Sequence, residues 1–172
     1  IDFLYSNEEI AGVFANQIGG YYDIWALRDK KYCENDVWVE VFEYLMLNKS
    51  SSEQISKKIL NDAKKKILDK KVFSLKRFDA PVPVSSAFGG LGIYKMNSVL
   101  QNKSKYLGTQ NFDVTTQDKK KFKVNYQKCE HVNFNEGIIK TGQKLYILPQ
   151  LVNQKFIRVE FKPDTALKFI IK

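Results

Sequence analysis

The alternation of short apolar runs with stretches of helical period is the feature that most constrains the fold of this chain. Residues 12–16 (Gly-Val-Phe-Ala-Asn) and 144–148 (Lys-Leu-Tyr-Ile-Leu) have the length and apolar character of buried strands, the second closed by Pro149. Between them, Val37, Val41, Tyr44 and Leu45 recur on one face. With Asn35 as cap and Asp36 in the first turn, they predict a helix ending near Asn48. The Ser50-Ser51-Ser52-Glu53 capping box predicts another, with Ile55, Ile59, Ala63 and Ile67 beside Leu60 and Leu68 as its apolar stripe and lysine on the opposite face. A further helix is expected over residues 129–140, ended by Gly142, and two short strands near 156–161 and 167–171. Strands alternating with helices, without internal repeat, argue for an α/β fold.

Two segments are less regular. Pro81 and Pro83 favour extended backbone and deliver the chain to a glycine-containing loop and strand over 85–94, whereas residues 101–128 are polar, lysine-rich and without clear period. That second stretch is expected to be irregular, with a short strand at 122–124. At 172 residues, 44% of them hydrophobic, the chain can bury one sizeable core, which suggests a single α/β domain over 1–172. No apolar run reaches the roughly 18 to 20 residues of a membrane-spanning helix. A chain opening on Ile1, with neither an initiator methionine nor a basic-then-apolar leader, is expected to begin mid-protein.

The balance of 28 Lys and Arg against 19 Asp and Glu gives a net charge of +9. Much of the excess lies in Lys57, Lys58, Lys64, Lys65, Lys66, Lys70 and Lys71 and in 119–121. Such charge suits a phosphate-bearing donor, an anionic membrane face or nucleic acid, and equally a solvated helix face. The lysines and the aromatic residues cluster in different places, which counts against nucleic acid. Cys33 and Cys129 are far apart and form no CxxC pair, which fits a reducing cytoplasmic setting and no structural zinc site.

Three constellations could carry chemistry. In 21–28, Tyr22 and Trp25 lie close to Asp23 and Arg28; sugars pack their C–H faces on rings and take hydrogen bonds from such polar groups. The alternative is that both rings are core and Asp23 pairs with Arg28. Phe88, Gly89 and Gly90, followed by Leu91 and Gly92, let backbone approach a ligand closely, or else make a bulge; the spacing is neither a Walker nor a dinucleotide fingerprint. Glu130 and His131, the single histidine, open the helix over 129–140. There Glu130 can act as a general base or stabilise positive charge on a sugar, and His131 can hold a metal or phosphate; alternatively Glu130 only complements the helix dipole.

The order of these pieces resembles the second half of GT-A glycosyltransferases. In that superfamily a glycine-rich loop precedes an acidic motif at a helix start, and a glycine-led strand ending in proline follows, matching here 88–92, Cys129-Glu130-His131, and 142–149. Residues 21–29 resemble the Tyr-Asp-x-Trp-x-x-Arg-Asp stretch of bacterial glycosyltransferases and, more distantly, of fungal capsule-type mannosyltransferases. The resemblance spans about residues 12–150 and implies a GT-A-like mixed sheet flanked by helices, its C-terminal part, without the N-terminal nucleotide-binding strands.

It implies glycosyl transfer from a nucleotide sugar to a glycan or lipid-linked acceptor, in the cytoplasm or at the inner membrane face, where the protein could associate peripherally. Glu130 would be the catalytic or acceptor-activating carboxylate, with His131 at the position usually held by Asp. Phe88, Gly89 and Gly90 would shape the cleft, and Asp23 and Arg28 would contact sugar or diphosphate. A divalent metal, Mn or Mg, would bridge the diphosphate, its Asp-x-Asp ligands lying upstream of Ile1. Where many relatives carry a metal-binding His after the final proline, this chain has Asn153.

Overall fold

The computed structural model describes residues 1–49 and 54–155. In chain order the elements are α1 (Asp2–Tyr5), β1 (Ile10–Ile18), α2 (Val37–Leu47), α3 (Lys57–Leu68), β2 (Val82–Val84), β3 (Gly92–Tyr94), α4 (Met96–Gln101), β4 (Thr109–Thr115), β5 (Lys121–Gln127), α5 (Glu130–Ile139) and β6 (Lys144–Lys155). The result is a mixed α/β fold. The expected strands at 156–161 and 167–171, and the serine-rich capping box at 50–53, lie outside the described residues.

The main sheet has the order β2-β6-β1-β3. β1 and β6 run parallel at its centre, with Gly12 opposite Leu145 and Phe14 opposite Ile147. The short β2 and β3 pair antiparallel at the edges, Pro83 lying on one of them, where a missing ladder donor is tolerated. A separate hairpin, β4 with β5, fills much of the stretch expected to be irregular. Strict alternation in Lys121-Phe122-Lys123-Val124-Asn125-Tyr126-Gln127 buries Val124 and Tyr126 and turns the lysines outward. Pro149 does not close the last strand either: β6 continues past it to Lys155, with a register shift between Ala15 and Asn16 of β1 taking up the irregularity.

Helix α2 begins one residue later than expected, because Asp36 is the cap. Its Oδ1 accepts from the N–H groups of Trp38 (2.9 Å) and Val39 (3.4 Å). Helix α3 is capped by Ser56, whose Oγ accepts from the Ile59 N–H at 3.3 Å. Replacing Ser56 with alanine should therefore cost about 1 kcal/mol in urea unfolding, whereas the same change at Ser85, which caps no helix, should be neutral. Ile55 precedes α3 and, like Ile59, is exposed; the buried residues of the helix are Ala63, Lys64 and Leu68, with Leu60 and Ile67 of the expected stripe packed against the core beside them. Nor is the lysine face wholly solvated. Lys64 lies over the Trp38 ring, Lys66 over Tyr44, and Lys71 pairs with Glu40 at 2.9 Å.

Three apolar clusters hold these elements. The largest joins the sheet (Phe14, Val84, Leu145, Ile147) to α2, α3 and the hairpin. A second gathers Leu4, Ile10, Val13 and Leu148. The third, Ala26, Cys129 and Val132 with Trp25 and Phe88 packed against it, ties together the three segments singled out in the sequence.

Candidate functional site

The site is assembled around the loop that follows β2. Gly89 has φ +63°, and a Cβ there would stand 2.3 Å from the Ala15 carbonyl oxygen, so the loop can lie against β1 only without a side chain. Two neighbours fix it. The Phe88 N–H donates to the hydroxyl of the fully buried Tyr21 (3.3 Å), and Asn153 Nδ2 of β6 donates to the Gly89 carbonyl (3.3 Å). Gly90, at φ +81°, faces that same Asn153 amide.

Asp23 meets this loop. Its Oδ2 accepts from the Gly89 N–H at 3.1 Å, and the Ala26 N–H is a further donor to the carboxylate. Burial pushes the Asp23 carboxyl above its ordinary value and Glu130 adds to the effect, against the two N–H groups and His131, which act the other way. The native state therefore holds this proton more tightly than the unfolded chain. The stability that goes with it is present below the unfolded value near 3.8 and is lost as pH rises through the higher folded value. Urea unfolding between pH 3.5 and 7 should show this decline in the wild type and a shallower one in Asp23→Asn.

Glu130 and His131 open α5, 3.8 Å apart across Oε1 and Nε2. The His131 ring stacks on Phe88 with centroids 4.2 Å apart and 12° between planes, so the second and third motifs are in direct contact. Cys129, just before the helix, is buried; burial raises its thiol to about 11, which leaves it protonated near neutrality and unsuited to nucleophilic work.

Helix α5 is registered by one buried polar chain. The Tyr94 hydroxyl donates to Asn135 Oδ1 (2.7 Å), and Asn135 Nδ2 donates to Ser86 Oγ (3.0 Å) and the Ala87 carbonyl (3.2 Å). Nothing in the sequence marks Asn135 apart from its place one turn after His131. Asn135→Leu should cost about 2 to 3 kcal/mol in urea unfolding by stranding the Tyr94 and Ser86 hydroxyls, an expectation that fails if the loss stays under about 0.5 kcal/mol.

Among the other residues singled out, Trp25 lies with Phe88 in the third apolar cluster, its buried Nε1–H without a hydrogen-bond partner. Such a donor is the kind that a ligand oxygen or a water satisfies. Tyr22 is half-buried, its backbone N–H held by Gln17 Oε1 at 3.0 Å. Arg28 is differently placed from the expectation that it contacts sugar or diphosphate. Its guanidinium is buried and bonded to Asp36 (2.5 Å) and to the Trp25 and Leu27 carbonyls (3.0 and 2.6 Å). Asp23 and Arg28 thus do not pair with each other; each has found its partner elsewhere.

Sequence reasoning missed Tyr106. Its ring stacks on Phe134 (4.9 Å, 15°) and stands edge-to-face with His131 (5.8 Å, 79°), extending the row of rings that begins at Phe88. The result is a row of aromatic surfaces beside two carboxylates, those of Asp23 and Glu130. Such a site can accept hydrogen bonds from hydroxyls and pack C–H faces. No group of three or more His, Cys, Asp or Glu among the described residues is arranged to hold a metal ion. No helix among the described residues is long and apolar enough to cross a membrane. No family model matches the chain, nor does any curated protein or solved structure.

Proposed function

We propose that this chain is the acceptor-side part of a GT-A-like glycosyltransferase, which moves a sugar from a nucleotide-sugar donor to a glycan or lipid-linked acceptor. The supporting observation is the convergence of three segments distant in sequence: Asp23 on the Gly89 N–H, Phe88 on His131, and Glu130 within electrostatic reach of Asp23. Carboxylates, a glycine-shaped loop and aromatic faces that converge in this way are groups from which a site for a sugar can be built.

The charge of the cluster supports an acceptor-side role for it. Asp23 and Glu130 are acids, and Arg28, the basic residue in the matching sequence, is occupied by Asp36. Two carboxylates repel a diphosphate and accept from hydroxyl groups. The acceptor sugar therefore belongs here, and the donor diphosphate, with any divalent metal that bridges it as a Lewis acid, belongs on protein outside this cluster.

In this reading Glu130 takes the proton from the attacking acceptor hydroxyl as the new glycosidic bond forms and the donor's bond from the anomeric carbon to the diphosphate oxygen breaks, the nucleoside diphosphate leaving with that electron pair, while His131, beside Glu130, orients the carboxylate. Asp23, held by two backbone N–H groups, positions a neighbouring hydroxyl. The bound acceptor excludes water from the face that Phe88 covers. The test is transfer from a panel of nucleotide sugars with Mn or Mg present, comparing wild type with Glu130→Gln. A loss of about 10²- to 10⁴-fold is expected for removal of a general base. Turnover unchanged by that substitution, or absent throughout the panel from a folded preparation that binds a nucleotide sugar, sinks the reading.

A further inference from the structure

We propose that Tyr106, held by the strap of residues 102–106 across α5, is the platform on which a neutral acceptor pyranose stacks. The inference rests on the glycosyl-transfer reading and names the residue and ligand chemistry that it leaves open.

The strap is fixed by specific bonds. Asn102 Nδ2 donates to the Phe134 carbonyl (2.9 Å), the Ser104 N–H to Asn102 Oδ1 (2.9 Å), and Asn133 Nδ2 to the Lys105 carbonyl (2.5 Å). Gly137 makes the close approach possible, since a Cβ there would lie 2.3 Å from both Asn102 Oδ1 and Ser104 Oγ. A short segment outside the regular elements is thus held in one position by bonds to two residues of α5 and by the bare surface of a third.

What the strap delivers is a ring that the protein leaves uncovered. Tyr106 is 52% exposed although it contacts Phe134 and His131. Folding has fixed the ring in place and left about half of the residue open to solvent, where a ligand can reach it. Glu130 lies close enough to influence the Tyr106 hydroxyl electrostatically, and its neighbour His131 meets the ring edge-to-face, so the ring borders the Glu130 end of the cluster. A ligand that fits must offer an apolar face to the ring and hydrogen-bond donors to Glu130 without carrying negative charge. A neutral pyranose has both surfaces, with C–H groups on one face and hydroxyls around its rim; a phosphate has neither.

The experiment measures binding of neutral methyl pyranosides (mannoside, glucoside, galactoside and N-acetylglucosaminide) and, separately, of the nucleotide sugars UDP-glucose and GDP-mannose. Saturation-transfer NMR and intrinsic fluorescence are the readouts, on wild type, Tyr106→Ala, Tyr106→Phe and Gly137→Ala. Tyr106→Ala should weaken the preferred pyranoside about tenfold, which corresponds to about 1.4 kcal/mol, with nucleotide-sugar affinity unchanged. Tyr106→Phe should keep most of the affinity, because the ring is retained. Gly137→Ala should weaken it as well by displacing the strap.

Pyranoside binding by Tyr106→Ala equal to wild type overturns the proposal and leaves the transfer reading standing. Equal loss of nucleotide sugar and pyranoside overturns it by placing Tyr106 on the donor. Failure of wild type to bind any pyranoside overturns it too, and if transfer is also absent the underlying reading falls with it.

Discussion

Gly89→Ala is expected to lose about 3 kcal/mol of stability and most of any transfer activity, whereas Gly90→Ala, one residue on, should lose only about 1 to 2 kcal/mol. Both glycines have positive φ, +63° and +81°, so each alanine bears a left-handed backbone penalty of about 1–2 kcal/mol. The difference lies in what the new methyl meets. At Gly90 it is the side-chain amide of Asn153 at 2.5 Å, which can rotate away. At Gly89 it is the Ala15 carbonyl oxygen at 2.3 Å, backbone in the middle of a paired strand, and only a shift of the loop relieves it, adding about 1–3 kcal/mol of overpacking. That shift withdraws the N–H from Asp23 and moves Phe88 off His131, so stability and site fail together. Urea unfolding of the two variants decides the matter, and equal losses at both positions contradict the assigned role of Gly89.

The parts of the fold that were legible in the sequence are those where one physical signal dominates. β1 and the start of β6 are runs of apolar side chains at the centre of a sheet, and α2 announces itself by Val37, Val41 and Leu45, all buried. The hairpin was obscured by composition. Phe122, Val124 and Tyr126 alternate as a half-buried strand should, but the lysines between them read as solvated coil until the partner strand supplies Phe112 and Val114. The continuation of β6 beyond Pro149 was hidden for a related reason, since a proline stops a strand only where its missing N–H is needed.

For the site, the three motifs were visible but their pairing was not. Asp23 is five residues from Arg28 in sequence, and the residues alone left open whether the two face a sugar together or pair with each other. The turn between them instead sends Asp23 to a glycine 66 positions away and Arg28 to the cap of the next helix. Asn135 and Tyr106 carried no signal at all, because a buried asparagine and a surface tyrosine acquire meaning only from the neighbours that the fold gives them.

The pairing of Arg28 yields the second large effect. Asp36 does two things: Oδ1 caps α2 and Oδ2 accepts from the guanidinium, so Asp36→Ala should cost about 3–5 kcal/mol, most of it from an uncompensated buried cation. Arg28→Met should cost less, about 1–3 kcal/mol, because the remaining carboxylate is still satisfied by the N–H groups of Trp38 and Val39. Asp36→Ser keeps a cap and strands only the guanidinium; adding Arg28→Met to it should recover about 2 kcal/mol, since charge and countercharge are then both gone. The same double variant separates a structural arginine from one that binds substrate. If Arg28 serves only to hold the loop to α2, Arg28→Met/Asp36→Ser transfers sugar at nearly the wild-type rate once it is folded. If Arg28 grips a diphosphate, transfer falls while stability recovers, and the acceptor-side assignment of this cluster falls with it.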